Sequence, residues 1–268
     1  SSIVASSIDV SNKVTQIYCT PDAFAALRVD GSSISWGDGR HGGDSKSVAS
    51  LLNGSNKVMQ IISAYYAFAA LRADGSVITW GDAVNGGNSN SVASAINGNN
   101  KVTQIFTNGF AFAALRADGS VITWGDVAFG GNSSGVASAI DGSNKVTQIC
   151  ATQMAFAALR VDGSVITWGD LITGGNSSSV ASSINGSNKV TQIFSTQNAF
   201  AALRADGSVI SWGSAGQGGD SSIVASSIDG SNKVTQIFST QDAFAALRVD
   251  GSSITWGDGR HGGDSKSV

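Results

Sequence analysis

The stretch Ala67-Phe68-Ala69-Ala70-Leu71-Arg72-Ala73-Asp74-Gly75-Ser76-Val77-Ile78-Thr79-Trp80-Gly81-Asp82 recurs, nearly letter for letter, six times in 268 residues. Its tryptophan returns every 44 residues, at Trp36, Trp80, Trp124, Trp168, Trp212 and Trp256, and the chain has no other. A variable stretch, a Gly-Gly pair and a second constant run such as Asn12-Lys13-Val14-Thr15-Gln16-Ile17 fill the rest of each copy. A period of this size marks repeat architectures, in which one unit cannot bury its own apolar faces but a stack can. Residues 1–268 therefore read as a single repeat domain of six copies and as part of a longer array.

Inside a copy, Asp-Gly between two apolar runs predicts a β-hairpin. In the first copy Asp30-Gly31 separates Ala23-Phe24-Ala25-Ala26-Leu27-Arg28-Val29 from Ser32-Ser33-Ile34-Ser35-Trp36-Gly37, which suits a two-residue type I′ turn. That turn would set Leu27 opposite Ile34 and Ala25 opposite Trp36. Ala25, Leu27, Val29, Ile34 and Trp36 would share one face, and Phe24, Ala26 and Arg28 the other. Both faces are largely apolar, so the hairpin is expected to be covered on both sides by its neighbours. Lys57-Val58-Met59-Gln60-Ile61-Ile62 predicts a third strand. The run 44–54 has Asp44 for a cap, apolar Val48, Leu51 and Leu52, and an Asn53-Gly54 stop, which predicts a short helix.

Composition excludes several functions. The net charge is −3, only 13% of residues are charged, and each copy carries one Lys and one Arg in the constant columns. No basic stripe exists to follow a phosphate backbone, which argues against nucleic-acid binding. No apolar run approaches a membrane span, so membrane insertion is not expected. All 19 acidic residues are Asp, the side chain best suited to capping turns. Cys19 and Cys150 are too few for a disulfide framework. The motif Asp38-x-x-x-Gly42-Gly43-Asp44-Ser45 lacks the dense oxygen ligands of a calcium loop and reads as turn caps. His41 and His261 share one column without a third firm ligand, which points to turn histidines rather than a metal site. Arg28 and its five equivalents are expected to bond backbone carbonyls or Asp side chains. No cofactor and no catalytic constellation is implied.

The repeated run, as at Ala67-Phe68-Ala69-Ala70-Leu71-Arg72, Asp74-Gly75-Ser76 and Trp80-Gly81, resembles the repeats of the regulator of chromosome condensation family, the RCC1-like β-propellers. The resemblance covers nearly the whole chain. It implies a mainly β fold, a propeller of six 44-residue blades around an axis, often closed by a blade that combines both chain ends. Two features depart from the family. Gly81-Asp82-Ala83-Val84-Asn85-Gly86-Gly87-Asn88 stands where a GQLG-type turn is usual, and the copies are shorter, with no insertion. The founding member acts on a small GTPase through an inserted wedge-like loop, so that activity is not expected here. An open spiral of the same units is the alternative architecture, since residues 1–48 match 221–268 at 43 of 48 positions.

Differences between copies point to a contact surface. One variable window follows Gln-Ile and the other follows Trp-Gly-Asp. Together they place Tyr18, Arg40, His41, Tyr65, Tyr66, Phe110, Phe129, Met154, Leu171 and Ile172 in segments where loops are ordinarily polar. Exposed apolar clusters mark contact surfaces. The leading expectation is a non-catalytic scaffold for a protein partner or for self-association, within a larger extracellular or surface assembly. The alternative is a multivalent, lectin-like propeller that holds carbohydrate between blades by Trp, Asn and Asp side chains. The fit of the tryptophans to hairpin packing predicts that they are buried, which weighs against it.

Overall fold

Three consecutive strands pair in sequence order in each copy, giving six separate three-stranded antiparallel sheets in the computed structural model, which describes residues 12–264. In the first copy these are β1 (Val14–Cys19), β2 (Ala23–Arg28) and β3 (Ser33–Gly37), with β2 central. Among the described residues no sheet takes a strand from another copy. The chain divides into two compact units, residues 1–132 and 133–268. The segment predicted as a short helix is a 3₁₀ helix, Lys46–Leu51, with counterparts such as Asn90–Ala95 and Ser178–Ser183. Asp44 caps its start by accepting the Lys46 N–H at 2.9 Å.

The hairpin exists, but its register differs by one residue from the expectation. Phe24 lies opposite Trp36, Ala26 opposite Ile34 and Leu27 opposite Ser33. The cause lies in the turn. Only Gly31 adopts positive φ, at 82°, whereas a type I′ turn needs it at Asp30 as well. The Asp30 carboxylate instead accepts the Ser32 N–H at 2.8 Å, and the Gly31 N–H donates to the Arg28 carbonyl at 2.9 Å. Arg28 N–H then closes on the Ser32 carbonyl at 3.0 Å, so the loop holds three residues, Val29-Asp30-Gly31, with Gly31 in the left-handed position. Because side chains alternate, one extra loop residue exchanges the two faces of β3 relative to β2. Phe24, Ala26, Ile34 and Trp36 share one face, and Ala23, Ala25 and Leu27 the other.

This exchange creates the packing between copies. Within each unit the alanine face of one copy meets the Phe–Trp face of the next. Ala23, Ala25 and Leu27 form one core with Val58, Ile61, Phe68, Ala70 and Trp80. Ala67, Ala69 and Leu71 do the same with Phe112, Ala114 and Trp124. In the second unit Ala155, Ala157 and Leu159 pack with Phe200, Ala202 and Trp212, and the fifth copy packs likewise on the sixth. Small side chains on one sheet leave room for the large rings of the other. Phe68 and Trp80 stack at 5.3 Å, and both are almost wholly buried. The Trp80 indole donates to the Gly42 carbonyl of the preceding copy at 3.0 Å, as Trp124 does to Gly86, Trp212 to Gly174 and Trp256 to Gly218. Gly42 has φ 99°, and a Cβ there would sit 2.6 Å from the Phe68 ring. The turn glycine is thus required both by its backbone and by the ring it receives.

Two smaller features tie the sheets. β1 carries a bulge at Thr15, whose hydroxyl donates to the Leu27 carbonyl at 3.1 Å; Thr103, Thr147, Thr191 and Thr235 repeat the bond. Arg72 and its equivalents donate to the loop serine, Arg72 Nε to Ser76 Oγ at 2.7 Å, and Arg116 also reaches the Ala95 carbonyl at 3.5 Å. The expected Asp partner is reached only loosely, with Arg160 Nε 4.0 Å from Asp162.

Candidate functional site

β2 and its counterparts run from the variable windows at one end of each sheet to the Asp-Gly loops at the other. Both windows of a copy therefore lie at the same end. A residue just before β2 fastens them to each other across 21 positions. Asn108 accepts the N–H groups of Phe110 and Ala111 and donates to the Phe129 carbonyl at 2.5 Å. Thr196 donates likewise to the Gln217 carbonyl at 3.0 Å and Thr240 to the His261 carbonyl at 2.8 Å. Windows of adjacent copies are also joined through backbone, Tyr65 N–H to Gly109 carbonyl at 2.8 Å and Gln197 N–H to Gln241 carbonyl at 2.8 Å.

In the first unit this arrangement assembles five of the ten sequence-derived candidates into one aromatic row. His41 packs on Tyr66 (ring centroids 4.8 Å apart), Tyr66 neighbours Tyr65 at 6.3 Å, Tyr65 meets Phe110 at 5.1 Å, and Phe110 meets Phe129 at 5.0 Å. The row crosses three consecutive copies, and each of its rings is half-buried. Interplanar angles of 46–64° give tilted and edge-on contacts, the arrangement aromatic quadrupoles favour. At one end His41 Nδ1 lies 3.0 Å from the Asp22 carboxylate. Beside it Arg40 grips Asp38 through two nitrogens, at 3.2 and 2.8 Å, and this hydrogen bonding holds the Asp38 carboxyl down at about 2.

The remaining candidates lie apart from the row. Tyr18 sits within β1, donates its hydroxyl to Gln16 and packs against the core between the first two copies. In the second unit Leu171 and Ile172 are 68% and 73% exposed, and Met154 is half-buried. There the windows also carry amides and acids that bond to one another. Gln241 Nε2 donates to Gln197 Oε1 at 2.8 Å, Gln217 Nε2 to Asp242 at 2.6 Å, and His261 Nδ1 approaches Asp242 at 3.1 Å. Sequence reasoning missed Asn108, Gln197, Gln241 and Asp242. Their signal was column position, since each occupies the window after Gln-Ile, but polar residues in a loop attract no notice.

Other surfaces offer less. A groove of about 960 Å³ between the first two copies is lined by Lys46, Leu51, Arg72, Thr79, Asn88 and Asn90, with Trp80 in its wall. Trp80 is 2% exposed and its N–H is taken by Gly42, so it offers no ring face for a sugar. Trp124, Trp168, Trp212 and Trp256 are likewise at most 5% exposed. Cys19 and Cys150 are both free thiols. Burial pushes the Cys150 thiol up to about 11, which leaves it a poor nucleophile at neutral pH. Among the described residues no three His, Cys or Asp side chains gather as a metal site, and no helix is long and apolar enough to cross a membrane.

The mainly β fold of repeated three-stranded antiparallel sheets is similar to that of propeller structures. No family description and no curated protein sequence matches it. Solved structures do. Prp20p from Saccharomyces cerevisiae, described with its binding properties to Gsp1p and histones, is similar at a TM-score of 0.53 and 16% identity, over 93% of this chain and 73% of that one. Human WBSCR16 is similar at a TM-score of 0.51 and 16% identity, over 93% and 77%. The ectodomain of the Physcomitrella patens receptor kinase CR4 aligns at a TM-score of 0.49 and 15% identity over 92% of this chain, which spans only 62% of its length. Prp20p is the yeast RCC1. At these identities the likeness concerns fold: the mainly β, RCC1-like architecture of repeated antiparallel sheets.

Proposed function

We propose that this chain is a non-catalytic interaction scaffold that binds a protein partner with the variable-window end of its first three copies. The aromatic row from His41 to Phe129 carries this reading. Its side chains differ from copy to copy while the sheets beneath them do not, and they leave half-buried rings side by side on a rigid backbone. Half-exposed aromatic rings framed by hydrogen-bonded polar groups are the usual energetic centre of protein contacts. Partner binding by Prp20p agrees with this use of the fold, and a partner with apolar side chains in an extended segment would suit the row.

The test is selection of peptides from a displayed library on the intact chain, followed by binding to Tyr66→Ala and Phe110→Ala. Neither ring belongs to the core clusters, so both variants should melt as the parent does. Peptides that bind the parent and lose at least tenfold in affinity on either variant support the reading; peptides that map to the Asp-Gly end, or no enrichment at all, would refute it. The carbohydrate alternative has less support, because five of the six tryptophans it requires, all but the half-buried Trp36, are at most 5% exposed.

A further inference from the structure

The dipeptide Asn-Gly occurs five times in the chain, beginning at Asn53, Asn85, Asn97, Asn108 and Asn185. The fold treats these sites in two ways. Asn53, Asn97 and Asn185 share one column and are exposed, in the loop between a 3₁₀ helix and the next strand. In each, Oδ1 accepts the N–H two residues further on at 2.9 Å, from Ser55, Asn99 and Ser187. That bond draws the side-chain carbonyl back over the peptide that joins the asparagine to its glycine. Among the described residues their Nδ2 groups have no hydrogen-bond partner. The other two asparagines are locked. Asn85 is half-buried and its Nδ2 donates to Asp82 at 2.7 Å, while the carbonyl of the buried Gly86 accepts the Trp124 indole at 3.1 Å. Asn108 is 6% exposed; its Oδ1 accepts the Phe110 and Ala111 N–H groups and its Nδ2 donates to the Phe129 carbonyl.

We infer that Asn53, Asn97 and Asn185 are sites of spontaneous deamidation, each turning an amide into a carboxylate with water as the only co-reactant. The main-chain nitrogen of the glycine gives its proton to hydroxide and attacks the asparagine Cγ. The Cγ–Nδ2 bond breaks, water returns a proton to the departing nitrogen, and ammonia leaves a succinimide ring. Water then opens the ring at either carbonyl, giving aspartate or isoaspartate. Glycine favours the attack because no Cβ shields its nitrogen. The aspartate product fits the loop, since two copies already carry it. Asp141 and Asp229 accept the Ser143 and Ser231 N–H groups at 2.8 Å. Gly142 and Gly230 have φ 93° and 94°, against 85–92° at Gly54, Gly98 and Gly186. Isoaspartate does not fit. It adds one main-chain atom directly after Leu52, Ile96 and Ile184, whose carbonyls accept the Ser33, Val77 and Val165 N–H groups at 2.8–2.9 Å. In the first unit both loops lie at the Asp-Gly end of the sheets, opposite the aromatic row, so the new charge falls away from it.

Peptide mapping by mass spectrometry of the intact, folded chain, held in warm and mildly alkaline buffer, tests this. The expected result is conversion at Asn53, Asn97 and Asn185, with isoaspartate among the products, while Asn85 and Asn108 keep their amides. The same incubation in urea should convert all of these sites, because the locked pair is protected by the fold and not by its letters. Asn97→Asp should melt as the parent does, whereas aged chain enriched in isoaspartate should melt lower. Asn97→Gln, whose longer side chain would have to close a larger ring, should keep its amide in both conditions. Conversion confined to the urea sample, folded-state conversion of Asn85 or Asn108 as fast as that of Asn53, or an Asn97→Asp variant that melts well below the parent would overturn the inference.

Discussion

One tryptophan, one phenylalanine and one glycine meet at an interface between consecutive copies, as Trp80, Phe68 and Gly42 do. Gly86 shows the constraint best, because its φ of 97° and the Phe112 ring 2.5 Å from a Cβ position act together. Gly86→Ala should therefore lower stability by about 3 kcal/mol, combining left-handed strain with overpacking, as read by urea unfolding. Met59 makes the opposite case. It occupies the bulge position where the other five copies have Thr, and it is 61% exposed. Met59→Thr should add the hydroxyl bond to the Leu71 carbonyl and raise stability by about 1 kcal/mol, visible as a higher midpoint with an unchanged slope. Neither effect was legible from one copy alone. Comparison between copies shows that position 59 departs from its column, but only the bulge explains what the hydroxyl does.

At the scale of the element, the Asp-Gly loop decides which faces meet, and here the sequence was misleading in an instructive way. The letters Asp-Gly fit a two-residue turn equally well; the Asp30 carboxylate, by accepting the N–H at position 32, accompanies the three-residue loop instead. The short helix, the three strands and the two-sided burial were all readable from periodicity, whereas register depends on one backbone angle that periodicity does not encode. The same loop predicts acid sensitivity. Burial raises the carboxyls of Asp74, Asp118, Asp162 and Asp206, but hydrogen bonds from the loop serine's hydroxyl and amide, a neighbouring Asn and an Arg outweigh it and leave them lowered. In the sixth copy Asp250 is held at about 2, first by the Ser252 hydroxyl. A carboxyl whose folded value is depressed stabilises the fold above its unfolded value and loses that contribution as pH falls through the folded one. The stability these carboxylates contribute should thus be complete above about pH 5 and fall from about pH 4 toward pH 2. Thermal melts across that range check it, and Asp118→Asn should shallow the fall.

Within each compact unit, contacts run from each copy to the next, so the unit of stability is a copy plus its interface. Excision of residues 171–214 joins Asp170 directly to Ala215 and brings the fourth copy's alanine face onto the Phe244–Trp256 face. The shortened chain should still unfold cooperatively in a scanning calorimeter, with an unfolding enthalpy lower by roughly 30 kcal/mol, from about 0.7 kcal/mol per residue. Loss of any transition would show that contacts beyond nearest neighbours matter. The architecture was legible in the 44-residue step because periodicity is a global property of the sequence. The aromatic row was legible only in part. His41, Tyr65, Tyr66, Phe110 and Phe129 stand out as rings in loops, but their adjacency depends on the bond from Asn108 to the Phe129 carbonyl and on Tyr65 reaching Gly109. Tyr18 shows the limit of the approach, since the same window in the first copy places its ring against the core. The acceptor for Trp80, Trp124, Trp212 and Trp256 is a main-chain carbonyl, and so are the acceptors through which Asn108, Thr196 and Thr240 join the two windows. None of these bonds reads the side chains at 83–85 or 127–129. Those positions can be randomised without touching the supports beneath them, which makes the chain a natural frame for displaying combinatorial loop libraries.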